Sequence, residues 1–331
     1  MKTEILRKLR NSEEYVSGQS ICNELGVSRT AIWKVINQLK EEGYVFDAVQ
    51  NKGYKISSYP DVITKSEIES QLDDKNIIKK IQFFEEIDST NTQAKLYAEQ
   101  GEESGTLFVA EKQNGGRGRR GHNWISPAGS GIWMTLLLRP DIEPVNASML
   151  TIVSAMAVTS AIKREANEQG VDIECQIKWP NDVVVNKKKM CGILTEMSAQ
   201  MEAVNYVVIG IGINVNTTHF DDEIKATASS LYVETEKHFK RSRIIVFFAE
   251  EFTKYYNIFM EKQNLSGLKD DYNKMLANKD NIVKIINKEE TFTGTALGIN
   301  DKGELEVVKE DGSHTIIVSG EVSVRGLYGY V

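Results

Sequence analysis

One loop constrains this chain more than any other stretch, because it combines backbone freedom with fixed positive charge. Residues 113–124 hold four glycines and three arginines, and apolar runs at Thr106–Ala110 and Gly131–Leu138 lie on either side. Glycine lets backbone N–H groups approach a ligand closely, and arginine offers a rigid fork of donors that suits phosphate or carboxylate. The alternative to a ligand-binding loop is a mobile hairpin connection or a solvated basic patch. The two flanking runs predict buried strands. A charged, glycine-rich loop that connects two buried strands favours an anion-binding site.

Composition limits the remaining classes of function. A length of 331 residues predicts two or three domains, and a net charge of −7 argues against nonspecific nucleic-acid binding by the whole molecule. Residues 1–60 nevertheless carry nine basic and seven acidic residues, which permits a DNA-facing N-terminus. The three cysteines have no metal-ligand spacing, so we expect no metal site and reduced thiols in the cytoplasm. We find neither a signal peptide nor an apolar run of membrane-spanning length, and expect no membrane partner.

The first 57 residues predict three helices followed by a small β-hairpin. Thr3–Asn11 has helical spacing, Ser17 caps a second helix through Leu25, and Ser28 opens a third helix that runs to about Glu42. This order is typical of a winged helix-turn-helix that binds DNA. We expect these side chains to face DNA: Ser17, Gln19, Ser28, Arg29, Thr30, Trp33 and Lys34. A trihelical protein-interaction module and a Trp33 buried in the core remain open alternatives.

In the central part of the chain, polar residues follow predicted strands, and two glycines lie inside a strand. Residues 88–91, Asp-Ser-Thr-Asn, follow a predicted strand and precede a helix, and four consecutive capping-type residues exceed what a single helix start needs. Their spare groups suit a small polar ligand, although the same stretch alone would favour a simple cap. Lys178 and Asp182 flank a Trp-Pro-Asn turn at a strand exit. Gly210 and Gly212 lie inside an apolar strand, where glycine indicates close backbone approach.

The pattern changes again near residue 281. Short alternating strands with turns at Lys288-Glu289, Asn300-Asp301-Lys302-Gly303 and Asp311-Gly312 predict a small all-β domain, an SH3-like barrel closed by residues 320–326. A Ser-Ser-Tyr-Pro-Asp stretch marks a linker near residue 60. We therefore predict an α+β chain with a winged helix-turn-helix at 1–60, a mixed-sheet α/β domain at 61–278 and an SH3-like domain at 279–331.

Six motifs in this order resemble the bifunctional biotin–protein ligases that also repress biotin operons. Together with the N-terminal module they cover almost the whole chain, and six in order are far more specific than any one of them. The motifs are Ser89-Thr90-Asn91, Gly116-Arg117-Gly118-Arg119-Arg120-Gly121, Lys178-Trp179-Pro180-Asn181-Asp182, Lys189-Met190-Cys191-Gly192-Ile193-Leu194, Gly210–Asn216 and Gly320–Arg325. The resemblance implies a catalytic domain of the biotin/lipoate ligase type.

The resemblance also implies a two-step reaction with ATP and biotin as substrates and Mg²⁺ accompanying the ATP. Biotinyl-5′-AMP forms first, and biotin then passes to a lysine of a biotin carboxyl carrier acceptor protein. Catalytic roles carry over to Arg119, Lys189, Asp182 and Lys178, with Lys178 expected to hold the Asp182 carboxylate. Ligand contacts carry over to Ser89, Thr90, Asn91, Gln113, Gly116, Arg117, Gly118, Arg119, Arg120, Trp124, Lys189, Gly192, Gly210, Gly212, Asn214 and Arg325.

One departure and two alternatives qualify this interpretation. His122 stands where the family loop often continues with arginine, so a permanent cation is replaced by a mostly neutral imidazole. A ligand-sensing repressor without catalysis is one alternative, which the presence of Lys189 and Asp182 disfavours. A lipoate–protein ligase relative is the other, which the Gly-Arg-Gly-Arg-Arg-Gly loop disfavours. A homodimer assembled when the adenylate is bound would link biotin supply to occupancy of operator DNA.

Overall fold

Side-chain caps define the N-terminal helices in the computed structural model, which describes residues 1–200, 203–286, 290–318, 323–326 and 330–331. Ser17 Oγ accepts from the Ser20 N–H, Ser28 Oγ accepts from the Ala31 N–H, and Gly26 ends the second helix at φ 65°. The elements are α1 (Lys2–Arg10), α2 (Gly18–Leu25), α3 (Arg29–Glu41), β1 (Val45–Val49) and β2 (Gly53–Ser58). β1 and β2 pair antiparallel, which confirms the predicted winged helix-turn-helix.

A seven-stranded mixed sheet forms the centre of the molecule. Its order is β3-β4-β5-β9-β8-β7-β6, with β3 and β4 parallel and every other neighbouring pair antiparallel. The strands are β3 (Lys80–Ile87), β4 (Thr106–Gln113), β5 (Gly131–Leu138), β6 (Cys175–Lys178), β7 (Asp182–Val185), β8 (Lys188–Gln200) and β9 (Ala203–Asn214).

Helices cover both faces of this sheet. Phe108 and Leu137 face α5, whereas Leu107, Val109 and Leu136 join the larger core under α6 and α8. Because both faces are covered, every residue of β5 is buried, as its unbroken apolar run predicted. The helices are α4 (Lys65–Glu69), α5 (Thr90–Glu99), α6 (Met149–Glu168), α7 (Leu231–Thr235), α8 (Arg241–Lys262) and α9 (Lys269–Met275).

The segment Pro144–Glu168, which contains α6, is long and apolar enough to cross a membrane by length and composition alone. Contrary to the sequence expectation, a run of that length is therefore present. Within the described residues, 72% of its most apolar window is buried inside the protein. The segment packs against α8 and the sheet, as the core helix of a globular domain does.

The C-terminal strands form a separate antiparallel sheet in the order β13-β12-β11-β10-β14. They are β10 (Ile282–Ile286), β11 (Thr291–Ile299), β12 (Leu305–Lys309), β13 (His314–Ile317) and β14 (Ser323–Gly326). The predicted small β-domain is confirmed as a five-stranded sheet. The expected turn at Lys288-Glu289 and the residues Gly320, Glu321 and Val322 lie outside the described residues.

Specific bonds join this sheet to the central domain. The indole N–H of Trp179 donates to the Gly303 carbonyl at 2.9 Å, and its backbone N–H donates to Asn278 Oδ1 at 2.9 Å. At the other end, residues as late as Val62 pack against the N-terminal core. We propose domain boundaries after residues 60 and 278, which the Trp179–Gly303 bond and the packing of Val62 cross.

Candidate active site

A row of residues crosses one face of the central sheet and forms the floor of the site. Lys178 pairs with Asp182 across β6 and β7, Asp182 with Gly192 across β7 and β8, and Gly192 with Gly212 across β8 and β9. Side chains alternate between faces along a strand, so these cross-strand partners share a face. Gly210 lies two residues before Gly212 and shares it as well. This is the face that carries α5, opposite the α6–α8 layer.

A β-bulge brings Lys189 to the same side. Val183 pairs with Cys191 and Val184 with Lys189, so Met190 is the extra residue. Without the bulge, simple alternation would place Lys189 and Gly192 on opposite faces. With it, Lys189 Nζ lies 2.7 Å from Asp182 Oδ1.

Three neighbours hold the Asp182 carboxylate. Lys189 forms an ion pair with Oδ1, Asn181 Nδ2 donates to Oδ1 at 3.2 Å, and the Tyr330 hydroxyl donates to Oδ2. The expectation that Lys178 holds this carboxylate is wrong. The Lys178 ammonium instead lies 3.3 Å from the centre of the Tyr330 ring.

The charges around this carboxylate are mostly positive. Lys178 is only 6% exposed, and burial lowers its pKa from an ordinary 10.5 to about 8. The charges of Lys189 and Arg325 contribute to this lowering, while the charge of Asp182 opposes it. Arg119 Nη1 donates to Asn181 Oδ1 at 2.8 Å, and burial also lowers its pKa. Several partly desolvated cations beside one carboxylate suit a polyanionic ligand.

The glycine–arginine loop is a short irregular hairpin. Gln113 N–H donates to the Ser126 carbonyl at 3.1 Å, and Gly118 N–H donates to the His122 carbonyl at 2.7 Å. Arg120 has φ 56°, a left-handed conformation that costs energy for a residue with a Cβ. Arg119 reaches the site from this hairpin. The other loop side chains of interest, Arg117, Arg120 and His122, are exposed.

Trp124 folds back from the loop onto the glycine floor. A Cβ added to Gly212 would lie 2.5 Å from the Trp124 indole nitrogen, and one added to Gly192 would lie 2.9 Å from its ring. Glycine at both positions therefore leaves room for a flat group on the sheet. The indole N–H is buried and has no hydrogen-bond partner among the described residues, and Lys189 Nζ lies 5.3 Å from the indole ring centre.

The predicted polar cluster at the start of α5 is assembled with Gln113. Gln113 Oε1 accepts from the Thr90 N–H at 2.8 Å and from the Thr90 hydroxyl at 3.0 Å, so glutamine takes the capping role. Ser89 makes no side-chain cap bond. Asn91 Oδ1 accepts from Thr135 Oγ1 at 2.6 Å, and the Asn91 side chain fills the space above Gly210. The result is a buried polar wall beside the glycine floor.

Several members of this wall were missed by sequence reasoning. Thr135 is the one polar side chain in the run Gly131–Leu138, which is a usable signal. Glu196 accepts from Asn91 Nδ2 at 2.9 Å, and Ser126 accepts from Gln113 Nε2 at 2.9 Å. Tyr330 had no such signal, because nothing in its local sequence points to a carboxylate 148 residues away.

A polar segment covers the far side of Lys189. Lys189 N–H donates to the Thr227 carbonyl at 2.7 Å, and Ser229 N–H donates to the Lys189 carbonyl at 2.9 Å. Asn214 Nδ2 donates to the Ser229 carbonyl at 3.2 Å, so Asn214 anchors this segment. Arg325 on β14 is exposed at the edge of the cation cluster.

The predicted DNA-facing residues lie on one exposed side of the N-terminal domain. Trp33 is 58% exposed, so the alternative of a core tryptophan is wrong. Arg29 donates to Gln19 Oε1 from Nε at 3.2 Å and from Nη2 at 2.7 Å, which joins α3 to α2. Thr30 and Lys34 are exposed, while Ser17 and Ser28 also serve as N-caps.

Comparison with known proteins gives a consistent family. Three family models match: the biotin/lipoate A/B protein ligase family at residues 83–214, a helix-turn-helix domain at 2–55, and the biotin protein ligase C-terminal domain at 281–325. The bifunctional ligase/repressor BirA of Bacillus subtilis is 38% identical over 301 residues, which span 90% of this chain and 91% of that protein. The Escherichia coli protein of the same name is 28% identical over 94% of each chain.

Comparison with solved structures indicates the same family as the sequence comparisons. The biotin protein ligase from Aquifex aeolicus in complex with biotin and ATP superposes with a TM-score of 0.64 at 30% identity, covering 75% of this chain and 99% of that one. The match to that chain and the full-length similarity to the Bacillus protein point the same way. The chain belongs to the biotin protein ligase family, in its group of bifunctional ligase/repressors.

Proposed function

We propose that this chain is an ATP-dependent biotin–protein ligase and a DNA-binding repressor of biotin genes. One observation supports the ligase activity above all others. Arg119 from the loop and Lys189 and Asp182 from the sheet lie together, beside the buried Thr90 and Asn91 and the half-buried Gln113. A cationic cluster next to a wall of hydroxyl and amide groups suits two substrates, one a polyphosphate and the other a small uncharged ring bearing a carboxylate.

In the first step a biotin carboxylate oxygen attacks the α-phosphorus of ATP. The bond to the oxygen bridging to the β-phosphate breaks, and pyrophosphate leaves with that oxygen. The charges of both reactants must be neutralised while they are held in line. We assign this to Arg119 and Lys189, assisted by Arg117, Arg120 and Arg325. Magnesium enters with ATP as part of the substrate, bound to phosphate oxygens.

We assign recognition of the biotin head group to Ser89, Thr90, Asn91 and Gln113. The ureido ring offers two N–H donors and one carbonyl acceptor, and the wall supplies hydroxyl and amide partners. The valeryl chain would run over the floor made by Gly192, Gly210 and Gly212. Because Trp124 occupies part of that floor, we expect its indole to shift and pack against the bound chain.

In the second step the neutral amine of an acceptor lysine attacks the carbonyl carbon of the mixed anhydride. The carbon–oxygen bond to phosphate breaks, AMP leaves, and the new amide nitrogen loses a proton. Asp182 is positioned to accept a hydrogen bond from that amine and favour its nucleophilic form. Lys189 occupies Oδ1 of Asp182, so we infer that Lys189 turns to phosphate oxygens when ATP binds and frees this oxygen.

For regulation we propose that α3 enters operator DNA and that biotinyl-5′-AMP acts as corepressor through a homodimer. The seven exposed or capping residues of α2 and α3 support the DNA contact. A single N-terminal domain with a net charge of only +2 has little electrostatic attraction to DNA. Two such domains joined in a dimer would contact DNA together and bind it more tightly. All three cysteines are free, and with the need for ATP this supports a cytoplasmic location.

Pyrophosphate release is the test of the ligase. ATP with biotin should release pyrophosphate, and a biotin carboxyl carrier domain should then be labelled on its lysine. Release with lipoate but not biotin would establish the lipoate ligase alternative. Binding of biotin without release would establish a sensor that lacks catalysis. Gel shifts with and without biotin plus ATP test the repressor, and ligand-independent operator binding would exclude the corepressor role.

A further inference from the structure

Tyr330 lies in the ligase site although it belongs to the chain beyond β14. Its hydroxyl donates to Asp182 Oδ2 and its ring holds the Lys178 ammonium at 3.3 Å. Val331 lies against Gly326, since a Cβ on Gly326 would overlap the Val331 carbonyl. Val331 therefore lies against β14, and Tyr330 contacts two residues of the central sheet.

The contacts of Lys178 and Asp182 differ from those expected of two oppositely charged neighbours. They are directly opposed residues on β6 and β7, and opposite charges in such a cross-strand pair attract each other. They are only 6% and 9% exposed, so water screens that attraction weakly. Nevertheless the ion pair to Asp182 comes from Lys189, and Lys178 rests on an aromatic ring.

We propose that Tyr330 is a positioning residue that keeps Lys178 out of an ion pair with Asp182, so that the Lys178 ammonium stays available for the phosphates of ATP. The neutral phenol satisfies Oδ2 without cancelling the carboxylate charge. The ring compensates part of the desolvation of the ammonium through a cation–π contact. This inference rests on the proposed ligase function and extends it to a residue of the C-terminal segment.

The charges facing Lys178 give the proposal a titration signature. Asp182 on β7 raises its pKa, Lys189 on β8 and Arg325 on β14 lower it, and the Tyr330 hydroxyl stays protonated because burial and Asp182 raise its own pKa. Direct pairing of Lys178 with Asp182 would favour the ammonium form. The pKa of Lys178 would then rise from about 8 toward its ordinary value of 10.5.

The test is Tyr330→Phe, which removes only the hydroxyl. We expect the KM for MgATP in pyrophosphate release to rise about three- to ten-fold, the effect of losing roughly one charge-assisted contact. We expect the KM for biotin to stay within about two-fold, because no biotin-wall residue is touched. The alkaline limb of the activity profile should move to higher pH.

Tyr272→Phe is the matched control, because it removes a buried tyrosine hydroxyl that has no hydrogen-bond partner. A second readout needs no activity: the Lys178 Cε resonance of protein carrying ¹³C-labelled lysine, assigned with Lys178→Arg, is titrated in substrate-free enzyme. Its midpoint should rise in Tyr330→Phe and stay unchanged in Tyr272→Phe. An unchanged ATP KM with an unchanged Lys178 midpoint would overturn the proposal. Absence of pyrophosphate release from the unsubstituted protein would instead refute the proposed function.

Discussion

Three consecutive lysines illustrate how much chemistry depends on single residues. Lys187 is exposed at φ 64°, Lys188 pairs with Glu234, and Lys189 pairs with Asp182. The run Lys187-Lys188-Lys189 by itself predicts an exposed turn, and the family motif singles out Lys189 within it. The bulge at Met190 supplies the physical reason for the difference, since it aims Lys189 at the site face.

Lys189→Ala should reduce adenylate formation by about 100-fold or more, the scale seen when one preorganised charge-stabilising group is removed. Single-turnover formation of biotinyl-5′-AMP measures it. Lys188→Ala loses only a partly exposed ion pair to Glu234, and its rate should stay within about two-fold. Equal losses in both variants would show that the lysine turn, rather than Lys189, carries the activity.

Lys178→Met should stabilise the protein at neutral pH while impairing use of ATP. The folded-state pKa of Lys178 lies below its unfolded value, so its charged form is disfavoured by folding. That cost is fully present below pH 8 and disappears as pH rises through the unfolded value near 10.5. Replacement by methionine should raise the free energy of unfolding at pH 7 by up to about 3 kcal/mol, since one pKa unit corresponds to about 1.4 kcal/mol.

Urea unfolding at pH 7 and pH 10 measures this effect, with the gain shrinking at the higher pH. A variant that is destabilised at pH 7 would show that the ammonium is well compensated in the fold. A more stable but less active variant would mean that the buried charge is retained for function rather than stability.

At the scale of elements, the start of α8 ties the linker to the strands that flank the loop. Arg241 is 2% exposed and pairs with Asp61 at 3.0 Å and with Glu111 at 2.8 Å. Glu111 Oε1 in turn accepts from the Gly129 N–H at 2.6 Å, on the segment that follows the loop. A buried charge network therefore joins three chain segments that are far apart in sequence.

Arg241→Met should cost about 3 kcal/mol of unfolding free energy, because it leaves two carboxylates without their buried partner. The value lies at the lower end of the expected range, since Asp61 and Glu111 keep partial exposure. Arg243→Met is the control on the same helix, because the Arg243 side chain is 36% exposed and its nearer partner Glu168 is 47% exposed, and we expect a change of about 0–1 kcal/mol. Equal losses in a denaturant titration would contradict a special role for Arg241.

At the scale of the whole molecule, the N-terminal domain is fastened to the catalytic domain through Glu67. This carboxylate is 2% exposed and accepts from Arg10 at 2.6 Å, from Tyr44 and from Ser242 at 3.1 Å. Arg10 and Tyr44 belong to the N-terminal domain and Ser242 to α8. The two functional modules therefore share one buried acid.

Removal of residues 1–60 should abolish operator binding and leave adenylate synthesis and acceptor labelling largely intact. Every residue assigned to chemistry lies between Ser89 and Tyr330, Asp61 remains on Arg241, and Glu67 becomes solvated while keeping Ser242 and Gln71. Gel shifts and pyrophosphate release on both lengths of chain decide the matter. Loss of catalysis would show that the N-terminal domain supports the site through Glu67.

Much of the fold followed from periodicity and caps. The sequence pattern predicts a helix at Arg241–Lys262 and a strand at Ile282–Ile286, and α8 and β10 have these bounds, because amphipathic and alternating patterns are local signals. The sequence predicts a long helix at 146–170, but the helix begins at Met149, because Pro144–Asn146 forms a separate 3₁₀ turn. α7 was not predicted, since five residues inside a polar stretch carry too little periodicity.

The sequence by itself determined the order of modules, the family motifs and the residue types of the site, because each depends on neighbours along the chain. The partners of those residues were decided by tertiary structure. Lys178 was expected to hold Asp182, yet Lys189 and Tyr330 do so, through a bulge and a contact spanning 148 residues. Gln113, rather than Ser89, caps α5. Hydrogen bonds and ion pairs depend on distances of about 3 Å, and such distances between remote residues exist only once the sheets are packed.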